Sequence, residues 1–327
     1  MSTNADFFPS SAMSRGTTRG RSAVRLFFVV QAIGIFFLQK LALPLGEGSL
    51  QLILPLFYAG LAMLAWRGTL NIDPIRLGLY AVLVSFAVIS SILAEVPFSV
   101  PGLMLLALLY LPLVTFVRID RAEYVDLLRF YQKCMLIISC IVMIQYVTQL
   151  LFGVESWVNL DNIIPKSLQF PNFMYMRPVF WGSPDFKPNG VFLLEPSFVS
   201  QFAIIAICIE LVYFRRIWML VVLGMAQILS LSGSGLLILA FAAPLFLAKL
   251  PARLVVAGAF AGMVLAAGAF AIGWFDQIIL RIGEFSQPNS SAWFRYIVPL
   301  NVMAEHAQQV SSIYTGQSNS WMRCVWL

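Results

Sequence analysis

The chain has 327 residues, 60% of them hydrophobic and only 11% charged, with a mean hydropathy of +0.85. A soluble domain is nearer half apolar and a quarter charged, so this sequence has too little polar surface to cover a water-facing fold, and a lipid bilayer is its expected solvent. The net charge of +6 is read first as a topology signal, and nucleic acid is not an expected partner.

In chain order, residues 1–23 are polar and rich in Ser, Thr, Gly and Arg, and read as a disordered cytoplasmic tail before a retained first helix. Continuous apolar runs predict spans over 24–43, 49–66, 76–94, 99–117, 133–153, 191–214, 216–232, 234–249 and 252–275. A β-barrel would alternate polar and apolar residues, and these runs do not. The expected fold is therefore all-α: a polytopic integral membrane bundle of about nine transmembrane helices. Pro55, Pro112 and Pro244 fall inside spans and predict kinks. Between the fourth and fifth spans, Arg118 to Gln132 alternates charge with Tyr124, Leu127, Leu128 and Tyr131 at helical spacing, which predicts a separate short interfacial helix.

Basic residues recur in every second connection: Arg15 to Arg25, Arg67 with Arg76, Arg118 to Lys133, Arg215 with Arg216, and Lys249 with Arg253. Because Lys and Arg in short loops stay on the cytoplasmic side, this pattern predicts a cytoplasmic N-terminus. It also puts two long stretches outside. One is the loop of about 154–190 between spans five and six, where Trp157, Phe170, Phe186 and other aromatics interleave with prolines, suited either to stacking on sugars or to an interfacial belt. The other is the segment 276–327.

Candidate chemistry is concentrated in a few places. Four cysteines without a CxxC pair and a single histidine, His306, suggest no disulfide framework, metal centre or cofactor. Glu195-Pro196-Ser197-Phe198 puts a carboxylate at the outer end of the sixth span, either capping the helix start or facing a substrate. Ser230-Leu231-Ser232-Gly233-Ser234-Gly235 joins spans seven and eight, and its Ser232, Gly233 and Ser234 suit either an anion cradle or close helix packing. Arg281 and Arg295, with Arg177 as a weaker candidate, lie on the side where arginine should be scarce; their planar donor forks suit a pyrophosphate. Glu210, about one turn from Arg215 and Arg216, is expected to snorkel to the inner surface.

Taken in order, Glu195-Pro196-Ser197-Phe198, the Ser-x-Ser-Gly-x-Gly-Leu turn, and Arg281-Ile-x-Glu followed by Ser290-Ser291-x-x-x-Arg295 resemble the Wzy-like O-antigen and exopolysaccharide polymerases over roughly residues 190–315. The resemblance implies a bacterial inner-membrane glycosyltransferase. Its partners would be undecaprenyl-diphosphate-linked oligosaccharide, the bilayer, a flippase and a chain-length regulator. Arg281 and Arg295 would grip the diphosphate, and Glu195 would serve as the acceptor's base. Relatives usually continue through a Gly-rich loop back into the membrane, so the end of this sequence reads as a truncation. An O-antigen ligase and a lipid-sugar or solute transporter are the alternative readings.

Overall fold

The computed structural model describes residues 18–45, 48–93, 100–171, 176–179 and 183–247, and farther on Met263, Ala267, Trp293 and 297–301. Within them run eight α-helices: α1 (Thr18–Phe37), α2 (Ile53–Trp66), α3 (Pro74–Leu93), α4 (Val100–Tyr110), α5 (Arg121–Phe152), α6 (Pro196–Ile209), α7 (Ile217–Leu229) and α8 (Ser234–Leu247). Three stretches are long and apolar enough to cross a membrane: Pro74–Ile92, Arg121–Phe152 and Pro196–Phe214. The remaining helices are apolar but shorter, and the ninth expected span, 252–275, lies outside the described residues. The chain is thus a mainly helical protein with membrane character.

The core lies where α5, α6 and α7 meet, with α1 alongside. Met135, Ile138 and Val142 of α5, Val199, Ala203 and Ala206 of α6, and Met219, Leu223 and Ala226 of α7 recur at three- and four-residue steps and are buried together with Phe36. In lipid such helices gain little from leaving the solvent, so close packing and interhelical hydrogen bonds must hold them. Tyr131 Oη donates to the Phe202 carbonyl at 3.1 Å, and Gln132 Nε2 to the Ala206 carbonyl at 2.7 Å. A second cluster joins α1 to α2 through Val24, Phe27 and Leu64, where Gly60 leaves room for the Phe27 ring. Among the described residues neither α3 nor α4 buries a side chain fully, as expected of helices facing lipid.

Several sequence expectations change. The short interfacial helix and the fifth span are one continuous 32-residue α5. No Pro or Gly interrupts 121–152, and the charged first turns simply extend the apolar part. Pro112 does not kink a span: α4 stops at Tyr110, and Pro112 opens a 3-10 turn, Leu111–Val114. Pro55 stands in the first turn of α2, where its missing N–H costs nothing. Pro244 does lie inside α8. Two short antiparallel strand pairs take up the ends of expected spans: the hairpin of β1 (Ala42–Leu45) with β2 (Gly48–Gln51), and β4 (Thr115–Val117), which pairs across α3 and α4 with β3 (Leu70–Ile72) in the connection before α3. Glu210 does not snorkel. It is fully buried in the π-turn 210–214 that continues α6, and it accepts from Arg216 N, Nε and Nη2 at 2.8, 2.9 and 2.9 Å.

Candidate functional site

The segment leading into α6 is held by three glutamines, two from apolar α5 and one from the turn after α1. Gln145 and Gln149 stand one turn apart near the C-terminal end of α5. Gln145 Oε1 accepts from Gly190 N at 2.7 Å, and Gln149 Oε1 from Phe186 N at 3.1 Å. From the turn after α1, Gln39 Oε1 accepts from Leu194 N at 3.2 Å. Each supplies the partner that a backbone N–H needs in a buried, water-poor place. Between them the chain turns sharply. Gly190 has φ +70°, a Cβ there would meet Ile138, and Phe192 N returns to the Gly190 carbonyl at 2.7 Å. Val191, at the centre of that turn, has φ +66°, a strained value for a β-branched residue that costs on the order of 1–3 kcal/mol and is kept only where its surroundings enforce it.

Four residues later comes Glu195, in extended conformation immediately before Pro196 at the start of α6. It occupies the capping position, but its side chain makes no capping bond to the helix. One carboxylate oxygen accepts from Ser197 Oγ at 2.9 Å, and the other meets Arg177 Nη2 at 3.2 Å. Of the two readings open to it, helix cap or group facing a ligand, its contacts disfavour the first. Arg177 sits on a clip in which Lys187 N donates to the Arg177 carbonyl at 2.8 Å and Val179 N to the Asp185 carbonyl at 2.9 Å. The Gln149 bond to Phe186 fixes that clip to α5.

The Ser-Gly turn lies against the same end of α6. Ser234 Oγ donates to the Ser197 carbonyl at 3.0 Å, and Ser232 Oγ is 3.1 Å from Ser234 Oγ. Ser200 Oγ donates to the Ser232 carbonyl at 2.9 Å and accepts from Gly235 N at 2.8 Å and from Gln227 Nε2 at 2.9 Å. A Cβ on Gly235 would run into the Ser200 backbone. The first N–H groups of α8 therefore partly serve helix contact, which gives the close-packing reading of this turn its bonds. Gly233, with nothing near its Cβ direction, remains open. Leu231, at φ +48°, sets the angle at which the turn enters α8.

Arg177, Glu195, Ser197, Ser232 and Ser234 thus form one connected polar row where Arg177 meets the start of α6 and that start meets α8. Arg281, Arg295 and His306 lie outside the described residues. Within the aromatic loop, Trp157 is buried and donates from Nε1 to the Gln145 carbonyl at 2.7 Å, so this ring is part of the packing and not a stacking platform. Sequence reasoning missed Gln39, Gln145, Gln149, Ser200 and Gln227; the visible signal was a glutamine pair at i, i+4 inside an apolar run. Among the described residues no group of three His, Cys, Asp or Glu side chains is arranged to hold a metal ion.

A second ionic contact ties the same loop to α1. Lys40, in the turn after that helix, is buried with Nζ 3.5 Å from Asp161 Oδ1, while its carbonyl accepts from Phe170 N at 2.9 Å. Burial pulls its pKa from 10.5 to about 8, with the Asp161 charge opposing the shift. Comparison with family models, with curated proteins and with solved structures finds no match for this chain.

Proposed function

We propose that this protein is a multi-pass glycosyltransferase of the bacterial inner membrane, a polysaccharide polymerase working on the periplasmic side with the polar row at the start of α6 as its site. The observation that carries the reading is the Arg177–Glu195–Ser197 row, a buried carboxylate held by a cation and a hydroxyl beside a second serine-rich helix start. Carboxylates at such positions in membrane helices are rare and default to functional roles.

In the proposed reaction the acceptor sugar's hydroxyl oxygen bonds to the anomeric carbon of the growing glycan. The bond from that carbon to the carrier's phosphate oxygen breaks, and its electron pair leaves with undecaprenyl diphosphate. Glu195 takes the hydroxyl proton. Arginine forks stabilise the charge gathering on the diphosphate. By the resemblance these are Arg281 and Arg295, joined by Arg177 from the described site. The nine-span arrangement, the cytoplasmic N-terminus, and the flippase and chain-length regulator as partners belong to the same proposal.

The test is chain extension in membranes supplied with carrier-linked repeat units. Arg281→Ala, Arg295→Ala and Glu195→Gln are each expected to leave single capped repeat units, with the protein still inserted. Full-length glycan from all three variants would remove the proposal.

A further inference from the structure

A group of basic side chains gathers where the first turns of α5 meet the connection from α6 to α7. Two aromatic contacts bring these elements together. The Tyr124 and Tyr213 rings are 6.0 Å apart, and the guanidinium carbons of Arg129 and Arg216 lie 5.9 and 4.9 Å from the centre of the Phe214 ring. Lys133 stands one turn after Arg129, and Arg121 stands about three turns before Gln132, on the face that Gln132 turns to α6. Arg215, between the π-turn and α7, is exposed at φ +56°, a left-handed value uncommon for a residue with a side chain.

Two of these cations have carboxylate partners: Arg216 is held by buried Glu210, and Arg129 by Asp126 at 2.7 Å. Arg121, Lys133 and Arg215 are exposed and have no ion-pair partner among the described residues. Glu123 has a contact of its own and, by helical spacing, falls on the face of α5 opposite Gln132. The side turned to α6 is therefore basic.

Every charge of α5 falls within 121–133, and none within 134–152. At 1.5 Å per residue the uncharged part is about 28 Å long, close to the thickness of a bilayer's hydrocarbon, so the charged turns extend past it among the headgroups. Tyr213 and Trp218, 41% and 54% exposed beside them, are aromatics of the kind that settle at that depth.

We infer that this end of the protein is a binding surface for anionic phospholipid of the surrounding bilayer, with Arg121, Lys133 and Arg215 meeting headgroup phosphates and Tyr213 and Trp218 lying against the glycerol region. A phosphodiester is the anion a bilayer supplies at this depth, and basic residues just past a membrane helix attract anionic lipid by about fivefold each. A zwitterionic lipid adds a cation that the same residues repel. Nothing in this surface depends on glycan transfer.

The full chain in detergent micelles, supplied with equal amounts of phosphatidylglycerol and phosphatidylcholine bearing the same acyl chains, provides the test. Native mass spectrometry is expected to find phosphatidylglycerol retained about tenfold over phosphatidylcholine on the wild type, less than three full factors because Asp126 and Glu123 lie near. In the triple variant Arg121→Gln, Lys133→Gln, Arg215→Gln the preference is expected to fall to within about twofold. These side chains are exposed, so the fold is expected to survive their loss. Lys166→Gln, which removes an exposed cation from the loop after α5, is expected to keep the wild-type preference.

A measurement on the unaltered protein covers the case in which the triple variant does not insert. Phosphatidylglycerol with a photoreactive headgroup is expected to crosslink within 121–133 and 213–218. Crosslinks confined to other segments, or an unchanged preference in the folded triple variant, would overturn the surface. Equal retention of the two lipids by the wild type would also overturn it and leave the basic patch to a water-soluble acidic partner.

Discussion

Helix α6 begins and ends on a buried glutamate that holds an arginine, and the two pairs are built differently. At one end Glu210 takes three donors from Arg216, six residues on, and the guanidinium lies over Phe214 with its carbon 4.9 Å from the ring centre. At the other, Glu195 is met by a residue of a remote clip at 3.2 Å, and Ser197 secures its second oxygen. A pair made within one turn closes as the turn folds and has nowhere else to go. A pair made across a loop depends on glutamines elsewhere to keep the loop in place, and its arginine remains partly open to solvent. The first is built as a staple between α6 and α7, and the second is the site proposed above.

The largest expected effect separates these roles directly. Glu195→Gln is expected to lower chain extension by roughly 10²–10⁴-fold, the usual contribution of a positioned general base, while its melting temperature in micelles stays near that of the wild type. Glu210→Ala is expected to do the reverse. Breaking a buried pair costs about 3–5 kcal/mol, and the low end applies here because Arg216 is 38% exposed and water can take up part of its charge. Thermal unfolding and the yield of inserted protein measure the loss. If Glu195→Gln instead unfolds the protein while Glu210→Ala leaves it stable but inactive, the contrast is inverted and the site must be sought at the other end of α6.

A third substitution tests whether the serine-rich turn acts as packing. Gly235→Ala puts a methyl group against the Ser200 backbone, where no flexible side chain can yield, so overpacking of about 1–3 kcal/mol is expected in the same unfolding measurement. Gly233→Ala meets nothing and is expected to be near neutral for stability. Equal losses from the two would mean that the turn is held by something other than contact with α6. A large loss of chain extension from Gly233→Ala alone would add that glycine to the site.

The helical character and most helix positions were legible from hydropathy because the apolar runs are long and uninterrupted. Glu195 was legible because a carboxylate stands out in such a run. What surrounds it was not. Arg177 lies in a loop with no local pattern, and its nearness to Glu195 depends on one sharp turn through Gly190 and Val191, whose positive φ values no periodicity announces. Glu210 was misjudged because residues one turn apart suggest an exposed neighbour, whereas the π-turn and the left-handed Arg215 fold Arg216 back over it. The β1–β2 hairpin and strand β4 were hidden for a related reason: Ala42–Leu45 and Thr115–Val117 adjoin apolar runs that read as helix by hydropathy alone.

The smallest expected effect concerns the tie that holds the loop itself. Lys40 is buried like Glu210, but its partner Asp161 is distant in sequence like that of Glu195, so it shows whether a long-range pair without a ligand responds to its surroundings. Its pKa is lowered from 10.5 to about 8, chiefly by burial. The docked loop therefore prefers the neutral amine, and between about pH 8 and 10.5 the undocked chain binds more protons than the docked one. Docking should strengthen as pH rises through that window and should be weakest below it. Hydrogen exchange at the Phe170 amide, which donates to the Lys40 carbonyl, reports the docking. Taken as a ratio to the same amide in Lys40→Met, so that base-catalysed exchange cancels, protection is expected to climb modestly from pH 7.5 to 10.5. A ratio that falls over this range would mean that the Asp161 attraction outweighs the cost of burying the ammonium, and that the tie is a staple of the Glu210 kind after all.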